Sequence, residues 1–228
     1  MRHETVIGGR MISFEDIKNN EAVRAYIRAA DSSLCALGYT EHSFAHVTRV
    51  AEVASSILLS LGYSDREAEL AKIAGYLHDI GNLVNREEHS QSGAVIAFRI
   101  LDKLGMPPEE IAAIVTAIGN HDEGNGVPVS SLAAALIIAD KSDVRRTRVR
   151  NSEEVRFDIH DRVNFSVERA DISLDRPGVI ELSIDIDTAI SSVTEYFEIF
   201  LGRMLLCRKA AEKLGVSFSF IVNGQKLM

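Results

Sequence analysis

A histidine and an aspartate stand side by side in the segment His78-Asp79-Ile80-Gly81. Such a pair offers an imidazole nitrogen and carboxylate oxygens from one short stretch of backbone, a ligand set that suits Fe, Mn or Zn better than Ca. The alternative is structural: His78 could simply favour the C-terminal dipole of an apolar helix. Taken alone, an isolated His-Asp pair favours the structural interpretation.

Four more residues with metal-binding side chains lie at the ends of predicted helices. His46 and His89 open helices, His121 follows one, and Asp140 ends the most apolar one. A carboxylate in that last position is costly to bury unless it is paired or bound to metal. Each residue alone is weak evidence. Together they indicate a metal centre, because a helical bundle can gather its helix ends at one place.

This pattern resembles the HD-domain superfamily of metal-dependent phosphohydrolases, in the HDIG subset. The resemblance runs from about His42 to Arg148. The residues that carry it are His46 with Arg49-Val50, His78-Asp79, and Ile138-Ala139-Asp140-Lys141. His89 and His121 match a subgroup that holds two metals and includes bacterial dinucleoside polyphosphate hydrolases and cyclic-dinucleotide phosphodiesterases.

The resemblance implies a cofactor of two divalent ions, in the first place Fe or Mn, with Zn, Mg, Ni or Co as further options. The first ion would take His46, His78, Asp79 and Asp140, and the second would take His89 and His121, with Asp79 bridging both. The implied reaction is hydrolysis of a phosphomonoester or phosphodiester, of a nucleotide or dinucleotide, by a metal-activated hydroxide.

Polar side chains near these ligands would contact an anionic substrate. Arg49 follows His46 by nearly one turn, and Lys141 and Arg145 follow the closing aspartate. Arginine suits bidentate phosphate contacts, although these charges could also face solvent. Asn82 stands where many members of the family have lysine, so its contact with a phosphate would be weaker or different.

The remaining polar residues of interest are one aspartate and three histidines. Asp122 completes a second His-Asp pair and is a candidate proton relay, or a loop residue that hydrogen-bonds its own backbone. His42 lies one turn before His46 and is an alternative ligand. His3 and His160 are interpreted as ordinary surface residues.

Helical periodicity dominates the first two thirds of the chain. Apolar residues recur every three to four positions, and capping residues and glycines mark the ends. The predicted helices begin near Phe14 and continue over about 21–37, 41–61, 64–78, 90–104, 108–118 and 130–140. The last is apolar nearly all round and is predicted to be the central buried helix.

Apolar and polar residues then begin to alternate, which is typical of half-buried strands. Strands are predicted over 155–159, 163–167, 180–186 and 216–222, a helix over about 188–214, and turns at Arg176-Pro177-Gly178 and Asn223-Gly224. The fold is therefore predicted to be mainly α: an HD-domain helical bundle in residues 1–150, then a small α+β (β-β-α-β) unit in residues 151–228. The strand edges of this unit could pair across a homodimer or bind a regulator.

Composition limits the partners of the protein. The formal net charge of −8 argues against a surface that binds duplex nucleic acid. The sequence contains no apolar stretch near the roughly 20 residues of a membrane span, and Cys35 and Cys207 have no metal-like spacing. We expect a cytoplasmic protein with a small phosphorylated substrate and no membrane partner.

Two alternative functions stay open. Members of the same fold with four histidine and two aspartate ligands can carry a di-iron centre and activate oxygen, which tight iron, colour and oxygen consumption would reveal. The second alternative is a non-catalytic, metal-stabilised module for ligand binding or signalling. The complete ligand set argues against it, because a protein without catalytic activity would have no need to keep all six residues.

Overall fold

A computed structural model describes residues 11–150 and 159–228, and helices make up most of these ranges. The α-helices are α1 (Phe14–Lys18), α2 (Glu21–Ala36), α3 (Phe44–Ser60), α4 (Asp65–Leu77), α5 (His89–Leu104), α6 (Pro108–Gly119), α7 (Ser131–Lys141), α8 (Ile159–Ser166) and α9 (Val193–Lys213). Short 3₁₀ helices span Ile80–Leu83 and Arg146–Arg148. The first seven α-helices agree with the prediction to within a few residues.

Helix α7 lies at the centre of the bundle, as predicted. Its residues Leu132 to Ala139 are all buried, and it packs against α3, α4, α6 and α9. The side chain of Ser130 caps the helix by accepting a hydrogen bond from the amide of Ala133. Because α7 is enclosed, its last turn brings Asp140 to the interior.

Two glycines allow the elements around the His-Asp pair to approach closely. A Cβ atom at Gly75 would lie 2.8 Å from the backbone of Ala51, so this glycine lets α4 pack tightly against α3. A Cβ atom at Gly81 would collide with the carbonyl oxygen of His89, and would lie 2.5 Å from the amide nitrogen of Gly93. Gly81 therefore places the start of α5 directly against the His78-Asp79 segment.

A four-stranded sheet follows the bundle. Its strands are β1 (Val167–Ser173), β2 (Val179–Ile186), β3 (Ser217–Val222) and β4 (Gln225–Lys226), in the order β1-β2-β3-β4. β1 and β2 are antiparallel, whereas β2 and β3 are parallel because α9 connects them. The β-β-α-β order agrees with the prediction, although β1 lies further along the chain than the strand predicted there, and both predicted turns are confirmed. The turn at Asn223-Gly224 has φ angles of 49° and 77°, which suit Asn and Gly.

The beginning of this unit differs from the prediction. The strand predicted over 163–167 is wrong, because Ile159–Ser166 forms helix α8 and only Val167 belongs to a strand. Ile159 and Val163 are four residues apart, so the same apolar residues also fit one face of a helix. The strand predicted over 155–159 lies outside the described residues, except for Ile159 in α8. Helix α9 begins only at Val193, because Ser192 and Glu195 form a capping box.

The α+β unit contacts the helices that precede it. Arg49 of α3 donates a hydrogen bond from Nη2 to the carbonyl oxygen of Ala170 in β1, at 2.9 Å, and α9 packs along α7. The domain boundary near residue 151 stays a prediction. Within the two described ranges, no helix is both long and apolar enough to cross a bilayer.

Candidate metal centre

Four buried histidines, His46, His78, His89 and His121, share one hydrogen-bonding arrangement. Each holds Nδ1 against an oxygen of the protein: Asp143 Oδ2 at 2.8 Å, Gly75 O at 2.8 Å, Arg86 O at 3.1 Å and Ile118 O at 2.6 Å, respectively. Carbonyl and carboxylate oxygens can only accept, so Nδ1 carries the hydrogen in each neutral ring. The lone pair on Nε2 then points away from these oxygens, as in histidines that bind metal; in His89 this atom lies 3.4 Å from Arg86 Nη1, a hydrogen-bond donor.

Two of these Nε2 atoms converge with two carboxylates at the bundle centre. His46 Nε2 lies 3.3 Å from His78 Nε2 and 3.4 Å from both Asp79 Oδ2 and Asp140 Oδ1. His78 Nε2 lies 3.2 Å from Asp79 Oδ2 and 3.6 Å from Asp140 Oδ1. Ligands bound at about 2.0–2.2 Å to one cation are roughly 2.8–3.6 Å apart. The four atoms therefore have the spacing of one coordination sphere.

These atoms have no hydrogen to share when both rings are neutral. The two Nε2 lone pairs face each other and face carboxylate oxygens, which also only accept. Asp79 Oδ2 is buried and has no hydrogen-bond partner among the described residues. A buried polar atom without a partner is costly, and a cation would satisfy all four acceptors. The residues thus fit a divalent metal, and their mixed N/O set is compatible with Fe, Mn or Zn.

Asp79 also lies close to two further histidines, His89 and His121. Asp79 Oδ1 lies 3.5 Å from His89 Nε2, and the His89 and His121 rings are 5.1 Å apart between centroids. His78, Asp79 and His121 each offer a ligand atom, and these atoms lie within 4.8 Å of one another. Asp79 Oδ2 therefore faces His46 and His78, and Asp79 Oδ1 faces His89.

The electrostatics of the metal-free centre show what a cation would replace. Burial alone would lower the pKa of His78, but Asp79 and Asp140 raise it to about 10. Burial would raise the pKa of Asp140, yet Lys141 and the two histidines hold it well below its usual range. Burial, together with the nearby His78 and Lys141, lowers the pKa of His121 to about 3. Without metal, a proton on His78 balances the carboxylates.

Three residues predicted to bind substrate contact other side chains of the centre instead. One contacts the candidate ligand Asp79, and two contact Asp143, which positions His46. Asn82 is buried, and its Nδ2 donates to the carbonyl oxygen and to Oδ1 of Asp79 at 2.9 and 3.0 Å. Arg145 donates to the carboxylate of Asp143, and Arg49 Nε lies 3.4 Å from Asp143 Oδ1. None of the three lines the cavity beside the centre. Their contact with substrate stays a prediction.

A cavity of about 480 Å³ opens onto the centre. It reaches the candidate ligands Asp79, His89 and Asp140, and four cationic side chains line it, namely Arg86, Lys141, Arg148 and Arg203. Tyr39, His42, Asp161 and Asn164 are among its other lining residues. The wall therefore combines the carboxylates of the centre with several positive charges, which suits an anionic ligand.

Lys141 links the centre to the α+β unit. Its Nζ lies 2.7 Å from Asp140 Oδ2, and it also forms an ion pair with Glu123. The other oxygen of Glu123 accepts a hydrogen bond from Arg203 Nε of α9 at 2.8 Å. Asp122 Oδ1 lies 3.7 Å from Lys141 Nζ, and Asp122 is not among the residues that line the cavity. Its catalytic role stays a prediction.

Several cavity residues were not singled out from the sequence. Arg203 lies one turn after Phe200 on the buried face of α9, and an arginine within an apolar stripe is a signal that could have revealed it. Arg148 was named only as the end of the segment that carries the family resemblance. His160, predicted to be a surface residue, is exposed and also lines the cavity. His42 lines it as well, and His3 lies outside the described residues.

Comparison with known proteins identifies the family. The HD domain family matches residues 43–165, which is more than half of the chain. The chain therefore belongs to the HD domain family.

Two relatives illustrate how far the similarity extends. The chain is 26% identical over 209 residues to the uncharacterized protein MJ1020 of Methanocaldococcus jannaschii, and the match covers 80% of each chain. The crystal structure of a predicted HD superfamily hydrolase from an uncultured Thermotogales bacterium has 25% sequence identity and a TM-score of 0.43. That match covers 54% of this chain and 67% of the other.

Proposed function

We propose that this protein is a metal-dependent phosphohydrolase of the HDIG subset that binds two divalent ions, in the first place Fe or Mn. It hydrolyses a phosphomonoester or phosphodiester bond in a small phosphorylated substrate such as a nucleotide or dinucleotide. One observation carries this proposal: two Nε2 lone pairs and two carboxylate oxygens converge at 3.2–3.6 Å, beside a cavity lined by four cationic side chains.

The proposed ligands are those inferred from the sequence. His46, His78, Asp79 and Asp140 hold the first ion, and His89 and His121 hold the second, with Asp79 shared. Bound divalent ions lower the pKa of water and neutralise charge on phosphoryl oxygens. The chain supplies the orientation, because Asn82 fixes Asp79 through two hydrogen bonds.

The cavity supports an anionic substrate of limited size. A volume of about 480 Å³ lies in the range of small-molecule sites. Lys141 is buried beside Asp140, and Arg203 is positioned by Glu123. Both side chains line the cavity, so they are proposed to contact phosphate oxygens, with Asp122 near Lys141 as the candidate proton relay. The substrate contacts predicted for Arg49, Asn82 and Arg145 would require these side chains to leave their present partners.

The positive wall also favours this function over oxygen activation. A di-iron oxygenase has no general need for guanidinium groups beside its metals, whereas phosphate groups do need counter-charges. A homodimer paired through the sheet edges remains a prediction, as does the absence of duplex nucleic acid and membrane partners.

The test is a panel of phosphoesters assayed with Mn²⁺-loaded or Fe²⁺-loaded protein. Nucleoside monophosphates, dinucleotides and simple esters are compared for wild type, Asp79→Asn and the control Asp171→Asn. Asp171 lies in β1, with its side chain 57% exposed, so its variant should retain wild-type activity. We expect Asp79→Asn to lose at least a hundredfold in rate. The proposal fails if wild type hydrolyses no member of the panel, or if Asp79→Asn retains full activity.

A further inference from the structure

Two of the four cations that line the cavity have no carboxylate partner. Lys141 and Arg203 are compensated by Asp140 and Glu123. Arg86 and Arg148 form no ion pair with any acidic side chain in residues 11–150 and 159–228. Guanidinium groups that line a cavity and form no direct ion pair are typical of sites that bind anions.

Arg148 is the more deeply placed of the two. It is only 5% exposed, and its donors contact backbone alone: Nε donates to Glu41 O at 3.0 Å and Nη1 donates to Asp143 O at 2.6 Å. Its Nη2 has no hydrogen-bond partner among the described residues. This nitrogen is not sealed from solvent, so it can donate to an anion in the cavity. Arg148 is therefore held rigidly with one edge available to the cavity.

Arg86 reaches the second histidine group from the other side. Its Nη1 lies 3.4 Å from His89 Nε2 and 3.4 Å from Asn82 Oδ1, and its guanidinium lies over the ring of Tyr39 at 5.6 Å from the centroid. The other two nitrogens of its guanidinium group, Nε and Nη2, have no hydrogen-bond acceptor among the described residues. Arg86 is thus placed at the end of the cavity where His89 faces Asp79.

One short segment brings the two arginines to the same wall. Residues 39–42 precede α3: Tyr39 contacts Arg86, and the carbonyl oxygen of Glu41 holds Arg148. His42 ends this segment, and its ring lies 5.4 Å from that of His46. Tyr39, His42 and both arginines all line the cavity. Both guanidinium groups therefore lie on the wall of the cavity that opens onto the metal centre.

We propose that Arg86 and Arg148 form an anion subsite for a phosphate group that is not the one being cleaved. The preferred substrate then carries at least one phosphate group besides the one that is cleaved, as a nucleoside diphosphate does. This inference rests on the proposed function for the site of hydrolysis. It adds that substrate choice depends on two arginines outside the metal-ligand set.

The experiment compares two non-hydrolysable probes that differ by one anionic group. Methylenebisphosphonate and methylphosphonate are titrated calorimetrically into protein with excess Mn²⁺ in cell and syringe. Wild type should bind the bisphosphonate at least about tenfold more tightly. Arg86→Gln and Arg148→Lys should each lower that preference about tenfold, while methylphosphonate affinity stays within about threefold of wild type. Arg208→Gln is the control, because Arg208 lies on α9 with its side chain 48% exposed.

The two probes also separate this inference from the proposed function. Equal affinities for both probes in wild type would overturn the subsite, as would an unchanged preference in Arg86→Gln and Arg148→Lys. Should Arg148→Lys fail to fold, the result for Arg86→Gln decides, because Arg86 is less buried than Arg148. An arginine-dependent preference without hydrolysis of any phosphoester would support the subsite and reject the proposed activity. Hydrolysis of a phosphoester with no arginine-dependent preference would support the proposed activity and reject the subsite.

Discussion

The Nδ1 atom of His46 lies 2.8 Å from Oδ2 of Asp143, although 97 positions separate the two residues. Both side chains are fully buried. Burial would raise the pKa of Asp143, but its hydrogen bonds with Arg145 and His46 hold that pKa well below its usual range. The ionised carboxylate fixes the tautomer of His46 and directs Nε2 towards His78, Asp79 and Asp140.

Replacing this carboxylate should weaken metal binding without removing a ligand. We expect Asp143→Asn to lower Mn²⁺ affinity by about 10- to 100-fold, the usual effect of losing a hydrogen-bond partner of a metal-binding histidine. Competition with a fluorescent chelator measures this affinity. The exposed Asp171→Asn is the matched control. Equal affinity in Asp143→Asn and wild type would show that Asp143 does not position His46.

Gly81 should be intolerant of even one methyl group. In Gly81→Ala the new Cβ would collide with the backbone of His89, so we expect a loss of about 1–3 kcal/mol in unfolding free energy and a reduced metal content. Gly202→Ala is the control: it lies in α9, where a new Cβ would meet no atom within 4 Å beyond the adjacent residues and the backbone of its own helix. This control should gain about 0.5–1 kcal/mol. Urea unfolding measures both, and equal changes would contradict the close approach.

The bundle could be predicted because its local signals agree with its packing. Ser64, Ser130 and Pro108 mark helix starts in the sequence, and the same residues begin or cap helices in the structure. Helix α8 was missed because apolar residues two and four apart fit either a strand or a short helix. Only the burial of Val163 among neighbouring elements decides between these possibilities, and a single sequence does not contain that information.

Metal affinity should rise with pH. His78 has its pKa raised from 6.5 to about 10 in the metal-free centre, so its proton is bound at neutral pH and a metal must displace it. Its charged form stabilises the metal-free fold below about pH 6.5, and this contribution is lost as the pH rises towards 10. We therefore expect Mn²⁺ affinity to increase about tenfold per pH unit between pH 7 and 9 for each proton displaced.

Calorimetry in two buffers with different ionisation enthalpies counts the protons released. Release of at least one proton at pH 7.5 is the expected result. His121, whose pKa is lowered to about 3, should contribute none at this pH. A pH-independent affinity with no proton release would contradict the proposed role of His78.

Arg203 should affect substrate binding more than metal binding. The residue lines the cavity from α9, and losing a charge-assisted hydrogen bond should raise KM about tenfold or more for a phosphoester, with kcat within a few-fold. Arg208→Gln, on the exposed side of the same helix, should leave KM unchanged. Steady-state kinetics of Arg203→Gln give the comparison. An unchanged KM would show that Arg203 does not contact the substrate.

The candidate metal ligands could be inferred from the sequence, but the cavity wall could not. The ligands lie at helix ends, and each helix end has a sequence signal. The wall depends on how α8, α9 and residues 39–42 pack over the centre, and these contacts join residues far apart in the chain. In the sequence, nothing distinguishes Arg86, Arg148 and Arg203 from other cationic residues of the surface. The difference becomes visible only when the structure shows which acidic side chains pair with them and which do not.

The dependence of phosphoester hydrolysis on added Mn²⁺ tests the central claim most directly. Protein is stripped with a chelator, dialysed and titrated with Mn²⁺ while the initial rate is followed on the best substrate of the panel. We predict no hydrolysis by the stripped protein and a rate that saturates as the site formed by His46, His78, Asp79 and Asp140 fills. Full activity in excess chelator, or no hydrolysis at any Mn²⁺ or Fe²⁺ concentration, would contradict it.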